Sequence, residues 1–357
     1  MALVIGSFIF VIILGYIFPK SKWIFILETI SIIVLVGGYN GDTDLVFYRY
    51  SYVNELSPDK FLEGIYTIVA ILGHRIGMSF ETFHLVLSTL SIGGIAYVVW
   101  KLSPEPAFVM STMAGFSTFE YAPQVKAMCA SSITILAIYY LFCEGFDKAE
   151  KQKRIIFVLL IILACGFHFI SIFFLSLLLI PYVKKINIKY WVGVGIAIIF
   201  VFLPLFKNVA GKYFMSLNIY LENYRETKVF LGMCAWQICG VIIILGIKRT
   251  LLRKHYFKEN CRKKMLANYI YKGSIVMLFT IPFYSLTTVM MRVVRTWSVF
   301  YYILASHIRT EKYKVSLLKL IIVLYSIGSL ILFYIVLVRN RNNILWDVLS
   351  NNLFWQC

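Results

Sequence analysis

Acidic side chains are scarce in this chain: 17 Asp and Glu stand against 35 Lys and Arg in 357 residues, and charged residues of both signs make up only 15%. A composition that is 60% hydrophobic and 17% aromatic excludes an ordinary soluble domain. No alternating pattern argues for strands. The seven cysteines form no CxxC pair and sit mostly inside apolar stretches, which excludes a disulfide framework or a zinc site. There is no Walker-type phosphate loop, no GxSxG, no HExxH and no His/Cys cluster. ATP-driven transport and zinc hydrolysis are therefore unsupported, and no cofactor or metal is expected. The segment 2–18 lacks a basic leader and a small-residue cleavage site, so it is expected to be a retained first span.

What the chain does have is long apolar runs. Segments 315–338, 229–247, 189–206 and 273–291 are long enough to cross hydrocarbon, with charge only at their edges. The expected fold is all-α: a polytopic integral membrane protein of roughly 10–12 transmembrane or re-entrant helices. It reads as a single domain over 1–357, with an outer loop at 207–228 and a cytoplasmic basic loop at 248–272. The net charge of +18 collects in short connections: Lys20 and Lys22; Lys148, Lys151, Lys153 and Arg154; Lys184, Lys185 and Lys189; and the dense run 248–272. The positive-inside rule places these in the cytoplasm. Scattered between spans, they do not make a nucleic-acid-binding module, and no nucleic acid partner is expected.

From Lys20 and Lys22 inside, the span 23–39, with its single Glu28, delivers GDTDLVFYRYS (41–51) to the outer surface. Four apolar segments follow, 61–73, 82–100, 107–119 and 127–143, and they must end inside at 148–154. An outside start and an inside end need an odd number of crossings, so one segment does not cross. The shortest two, 61–73 and 107–119, are the candidates. The stretch 155–183 has basic flanks at both ends and is interrupted by Gly166 and His168. It is either two half-length helices hinged near GFHF, lining a cavity, or one tilted helix. On this map the final span leaves the C-terminal tail outside. Asp42, Asp44, Arg49, Lys126, Glu222, Arg225, Glu226, Arg292 and Arg295 also fall outside, where basic residues oppose the topological rule and call for another explanation.

Arg292 and Arg295 in MMRVVRTW lie about one helical turn apart, and their planar forks suit phosphate oxygens; interfacial anchoring beside Trp297 is the competing reading. Lys126 in QVKAM opens a span, where its charge adds to the helix N-terminal partial charge. Asp42 and Asp44 either cap the following helix or supply a general base. Tyr48, Arg49 and Tyr50 suit a sugar, by ring stacking and polar edges. His168, in an uncharged stretch of about twenty-eight residues, is a candidate catalytic group or a histidine bonded to a neighbouring helix.

GDTDLVFYRYSY, then LEGIYTIVAILGHRIGMSFETF, QVKAMCASSITILAIYYL and LACGFHFISIFFL, resemble in that order the EpsG-like family of Wzy-type polysaccharide polymerases, and RVVRTWSVFYY extends the resemblance into the second half. An Arg-Gln pair more often stands in that family where this chain has Lys126 and Ala127, so the charge is kept but the bidentate fork is not. The resemblance implies a multi-pass glycosyltransferase of the bacterial cytoplasmic (inner) membrane, serving capsule, exopolysaccharide or O-antigen synthesis. It would join oligosaccharide repeat units carried on undecaprenyl pyrophosphate at the outer leaflet. The implied partners are those lipid-linked units, membrane lipids, and a chain-length regulator or flippase. On this reading Asp44 or His168 is the base, Asp42 and Arg49 position the acceptor, and Lys126, Arg292 and Arg295 hold the pyrophosphate. Two other classes stay open: a flippase for the same lipid-linked oligosaccharide, which wants internal repeats not evident here, and a membrane acyltransferase acting on extracellular glycan.

Overall fold

A computed structural model of the chain describes residues 2–41, 44–54, 64–115, 117–143, 150–184, 227–253, 261–285, 288–308, 316–338 and 348–355. The described residues are helical throughout apart from short turns and one isolated bridge, so the protein has an all-α polytopic membrane fold. Three helices reach spanning length: Phe80–Leu102, Val125–Phe142 and Phe230–Arg253; shorter apolar helices occupy Val4–Ile17, Phe169–Tyr182 and Leu317–Leu332. The expected span at 189–206 and the outer loop, apart from Thr227 and Lys228, lie outside the described residues, as does Asp42. Two compact units divide the chain: Met1–Ile172 with Ser298–Cys357, and Phe173–Trp297.

The first unit contains α1 (Ala2–Ile17), α2 (Lys22–Gly37), α3 (Asp44–Val53), α4 (Gly64–Arg75), α5 (Phe80–Leu102), α6 (Pro106–Ala114), α7 (Ser117–Tyr121), α8 (Val125–Cys143) and α9 (Glu150–Phe167). Small residues let the long helices approach closely, and polar side chains join them. The contacts also set the helix directions. Ser91 donates to Cys129 Sγ, a Cβ at Gly94 would lie 2.5 Å from Ser132 Oγ, and the rings of Tyr97 and Tyr139 meet at 5.9 Å. Each step forward along α5 is thus a step forward along α8, so the two run parallel.

Parallel neighbours require the chain to return between them, and α6 with α7 makes that return. Phe8 faces Phe119, the Ile12 carbonyl accepts from Ser111, and Tyr16 faces Phe108, so α6 and α7 together run antiparallel along the length of α1. With α6 and α7 as the return, the parity is met by a 61–73 segment that does not cross, of which 64–73 lie in α4. Every residue of α6 is buried, consistent with an interrupted helix at membrane depth being enclosed in protein. The carbonyls freed at its end are met from outside: Ser326, on a later helix (Leu317–Val338), donates to the Thr112 carbonyl at 2.7 Å. Glu28 accepts from Ser111, and a Cβ at Gly15 would collide with both side chains.

The two ends of the unit are chemically distinct. At one, Lys319 pairs with Glu105 in a buried ion pair, Ser103 donates to Ser306 at 2.7 Å, and His307 bonds the Leu102 carbonyl at 3.0 Å. At the other, the C-terminal segment closes over the end of α2. Asn352 donates to the Val34 and Leu35 carbonyls, Tyr39 and Asn352 form an antiparallel bridge, and a Cβ at Gly38 would collide with Asn352 Oδ1. The tail therefore sits at the α3 end, as the topology map expects.

In the second unit, α10 (Thr227–Arg253) and α11 (Cys261–Met277) pack antiparallel, with Gln237 near the end of α11 and Lys248 Nζ 4.2 Å from the Tyr271 ring centroid. The run 248–272, expected as a loop, is thus largely the end of one helix and the start of the next; only 254–260 lies outside the described residues. Nor is 273–291 one uniform helix, because α11 passes at Met277 into a 3-10 segment, Leu278–Ser285, that contains Pro282. Gln237 meets the polar groups at that change: its amide donates to the Met277 carbonyl at 2.7 Å, and its oxygen accepts from Tyr284 at 2.7 Å. Helix α12 (Met291–Ser306) begins in this unit and ends in residues of the first, to which α13 (Leu317–Val338) and the described tail 348–355 belong.

Candidate functional site

The site is built where α3, α4, α5 and α8 meet at the C-terminal-tail end of the first unit. Asp44 opens α3 in its first turn, where a carboxylate complements the helix dipole. Tyr48 follows one turn later on the same side, and its ring meets that of Tyr66 on α4 at 5.7 Å. Lys126, the second residue of α8, places its ammonium 5.3 Å from the Tyr48 centroid and 5.0 Å from that of Tyr66. A cation over two tyrosine faces is held in place by them. Its position at the α8 N-terminus sets the ammonium beside the partial positive charge of that helix end.

Arg49 is engaged on several sides. It forms an ion pair with Glu81 at 3.2 Å, donates to Asn40 Oδ1, and lies 5.4 Å from the Phe80 ring centroid. It thereby braces α3 against the end of α2 and the start of α5, which begins at a Ser79 cap accepting from the Thr82 amide at 3.2 Å. Tyr52 fills the inner side of α3 against Phe83 and donates to the Met78 carbonyl at 2.8 Å; burial, and secondly Glu81, raise its phenol above the ordinary tyrosine range. The two tyrosines expected to stack on a sugar part ways here. Tyr48 gives its face to Lys126, whereas Tyr50 is exposed.

His168 lies at a change of helix type. Helix α9 ends at Phe167 and a 3-10 helix runs over Phe169–Lys184, so the helix type changes at the GFHF interruption. The His168 amide still donates to the Ala164 carbonyl at 2.9 Å, and its own carbonyl accepts from the Ser171 amide at 3.2 Å. Thr134 donates to Ser171 at 3.2 Å, and Thr134 lies about 12 Å along α8 from Lys126. Ser171 thus touches the middle of α8, while Gly166, two residues before His168, packs against Ile65 of α4, the neighbour of Tyr66.

In the second unit, Arg292 and Arg295 lie one turn apart on α12, as expected. Arg292 is half-buried and Arg295 is fully buried at 0% exposure, a position that does not fit a side chain snorkelling to an interface. Sequence reasoning missed Tyr66 at the site and, away from it, the Glu105–Lys319 pair and Glu120. Tyr66 belongs to a Tyr66, Ala70, Gly73 stripe at helical spacing, which marks the buried face of α4. Glu105 and Lys319 are lone opposite charges inside apolar stretches, a pattern that predicts a pair. Glu120, 1% exposed on α7, carries no comparable signal.

No curated protein and no solved structure matches this chain. A sequence model of the EpsG family matches residues 21–347, which takes in the α3, α4, α5 and α8 cluster, His168 and both arginines of α12. With nearly its whole length matched, the chain belongs to the EpsG family and has, at the family level, a polysaccharide polymerase-like role.

Proposed function

We infer that the protein is a glycosyltransferase that polymerises oligosaccharide repeat units carried on undecaprenyl pyrophosphate at the outer leaflet of the bacterial cytoplasmic membrane. The observation that carries this reading is the Lys126 ammonium held at a helix N-terminus by Tyr66 and by Tyr48, which follows Asp44 by one turn, within the family match. A lipid-pyrophosphate donor is already activated. The acceptor hydroxyl at the non-reducing end of the incoming unit attacks the anomeric carbon of the growing chain. The bond from that carbon to the pyrophosphate oxygen breaks, and the hydroxyl proton passes to a base. Two kinds of group are needed, a proton acceptor and fixed cations for the departing pyrophosphate. Asp44 or His168 takes the first role. Lys126, Arg292 and Arg295 take the second, and Asp42 and Arg49 position the acceptor. The source-cell test is deletion of the gene: single lipid-linked repeat units should replace long chains. Unchanged chain length would remove the reading.

A transporter of the same lipid-linked oligosaccharide is the second reading. It draws on the interrupted helices, α6 with α7 and α11 with its 3-10 continuation, because transporters place such breaks at their binding sites.

A further inference from the structure

Helices α3 and α4 are too short to cross a bilayer: ten and twelve residues give about 15 and 18 Å against about 30 Å of hydrocarbon. The parallel run of α5 and α8 also assigns the intervening crossing to α6 with α7, so nothing in the topology requires α4 to cross. Yet both short helices expose apolar stripes. On α3, Val46, Phe47, Tyr50 and Val53 are exposed, Phe47 at 61%, while Leu45 and Tyr52 on the opposite side are buried. On α4, Ile68 and Leu72 recur at a spacing of four, continued by Ile76 just past its end at 74% exposure, and Tyr66, Ala70 and Gly73 form the buried stripe. The inner faces are used up on each other: Tyr48 meets Tyr66, and Tyr52 meets His74 at 5.4 Å. Arg75, exposed beside Ile76, has the apolar stem and charged tip that suit a side chain at the polar boundary.

We propose that α3 and α4 form a shelf lying in the headgroup boundary of the bilayer, with the Val46, Phe47 and Tyr50 ridge and the Ile68, Leu72 and Ile76 ridge seated against lipid. Water is an unfavourable cover for two such ridges on a membrane protein, and helices of ten and twelve residues are too short to span its hydrocarbon. The boundary zone accommodates an amphipathic helix with its apolar face buried by about 5–10 Å. The consequence for the neighbouring site is one of depth. Tyr48 and Tyr66 project from the other faces of the same two helices, so the Lys126 ammonium is held at the level of the lipid phosphates. This inference concerns the bilayer as partner and stands whether or not the protein polymerises sugar.

The test is depth measurement by spin labelling in lipid nanodiscs. In a cysteine-free background, labels are placed at F47C and L72C, with L90C on the exposed face of α5 as the deep reference and N54C as the water-facing one. Oxygen accessibility relative to a soluble nickel chelate should place the Phe47 and Leu72 positions between the two references, within about 10 Å of the phosphate plane. Chelate accessibility equal to that at Asn54, or a depth equal to that at Leu90, would overturn the proposal. If the cysteine-free protein does not fold, Phe47 is replaced by p-benzoylphenylalanine with all native cysteines kept. Photolysis should then attach phospholipid acyl chain, and attachment to protein alone would count against the shelf.

Discussion

Lys126 owes its position to two rings, and the rings are separable from their hydroxyls. Tyr48→Phe keeps the π face and should leave chain extension near the original rate, whereas Tyr48→Leu removes it and should cost roughly 2- to 30-fold, the range of a cation–π contact worth about 0.5–2 kcal/mol. A steady-state rate with purified lipid-linked units would show the split; equal losses in Phe and Leu variants would mean the hydroxyl, not the face, is what matters. Asp44→Asn and His168→Gln separate base from scaffold. The true base should lose about a hundredfold to ten-thousandfold in turnover while lipid-linked substrate still binds, and its pH profile should lose the acidic limb. Loss of binding and turnover together would identify a positioning residue instead. Arg295, buried as it is, should not tolerate alanine: activity should be abolished while protein still accumulates in the membrane, with only partial rescue by lysine, which lacks the fork. Full activity of Arg295→Ala would remove it from the site.

At the scale of elements, the interrupted helices are held by side chains that reach them from their neighbours. Ser326→Ala leaves the Thr112 carbonyl without that donor, and Gln237→Leu does the same at Met277. Each should lower stability by about 1–3 kcal/mol, the cost of a buried polar group left unmet, read as a drop in melting temperature in detergent. The Glu105 and Lys319 pair makes a sharper case: Lys319→Met alone strands a buried carboxylate and should cost about 3–5 kcal/mol, while adding Glu105→Gln should recover much of it. If the double variant is no better than the single, the pair is not what joins α13 to the start of α6. These elements also show what was legible beforehand. Apolar runs marked the long helices because length and hydropathy decide a span, and Gly166 and His168 marked the change of helix type because they interrupt such a run. The parity of crossings was legible but not which segment failed to cross, since that rests on the parallel run of α5 and α8, a tertiary fact. The site was half legible: Asp44, Arg49 and Lys126 stood out as charges, while the tyrosine pair around Lys126 did not, because Tyr66 reads as one more aromatic in an apolar helix.

For the whole molecule, the contacts make one directional statement: α3, the start of α8 and the C-terminal segment share one end of the first unit, and Lys101, Glu105 and His307 share the other. With the basic connections inside, single cysteines at Asn54 and Ser350 should label in intact cells with a membrane-impermeant reagent, while one at Lys101 should label only after the membrane is opened. Labelling of Lys101 from outside would invert the map and with it the proposed leaflet. The central claim is that sugar chains are joined here, and it is tested most directly with the purified protein in liposomes loaded with undecaprenyl-pyrophosphate-linked repeat units and no nucleotide. The account predicts a ladder of lengthened lipid-linked chains with release of undecaprenyl pyrophosphate. Single units that stay single while passing from one leaflet to the other would contradict it and establish the transporter in its place.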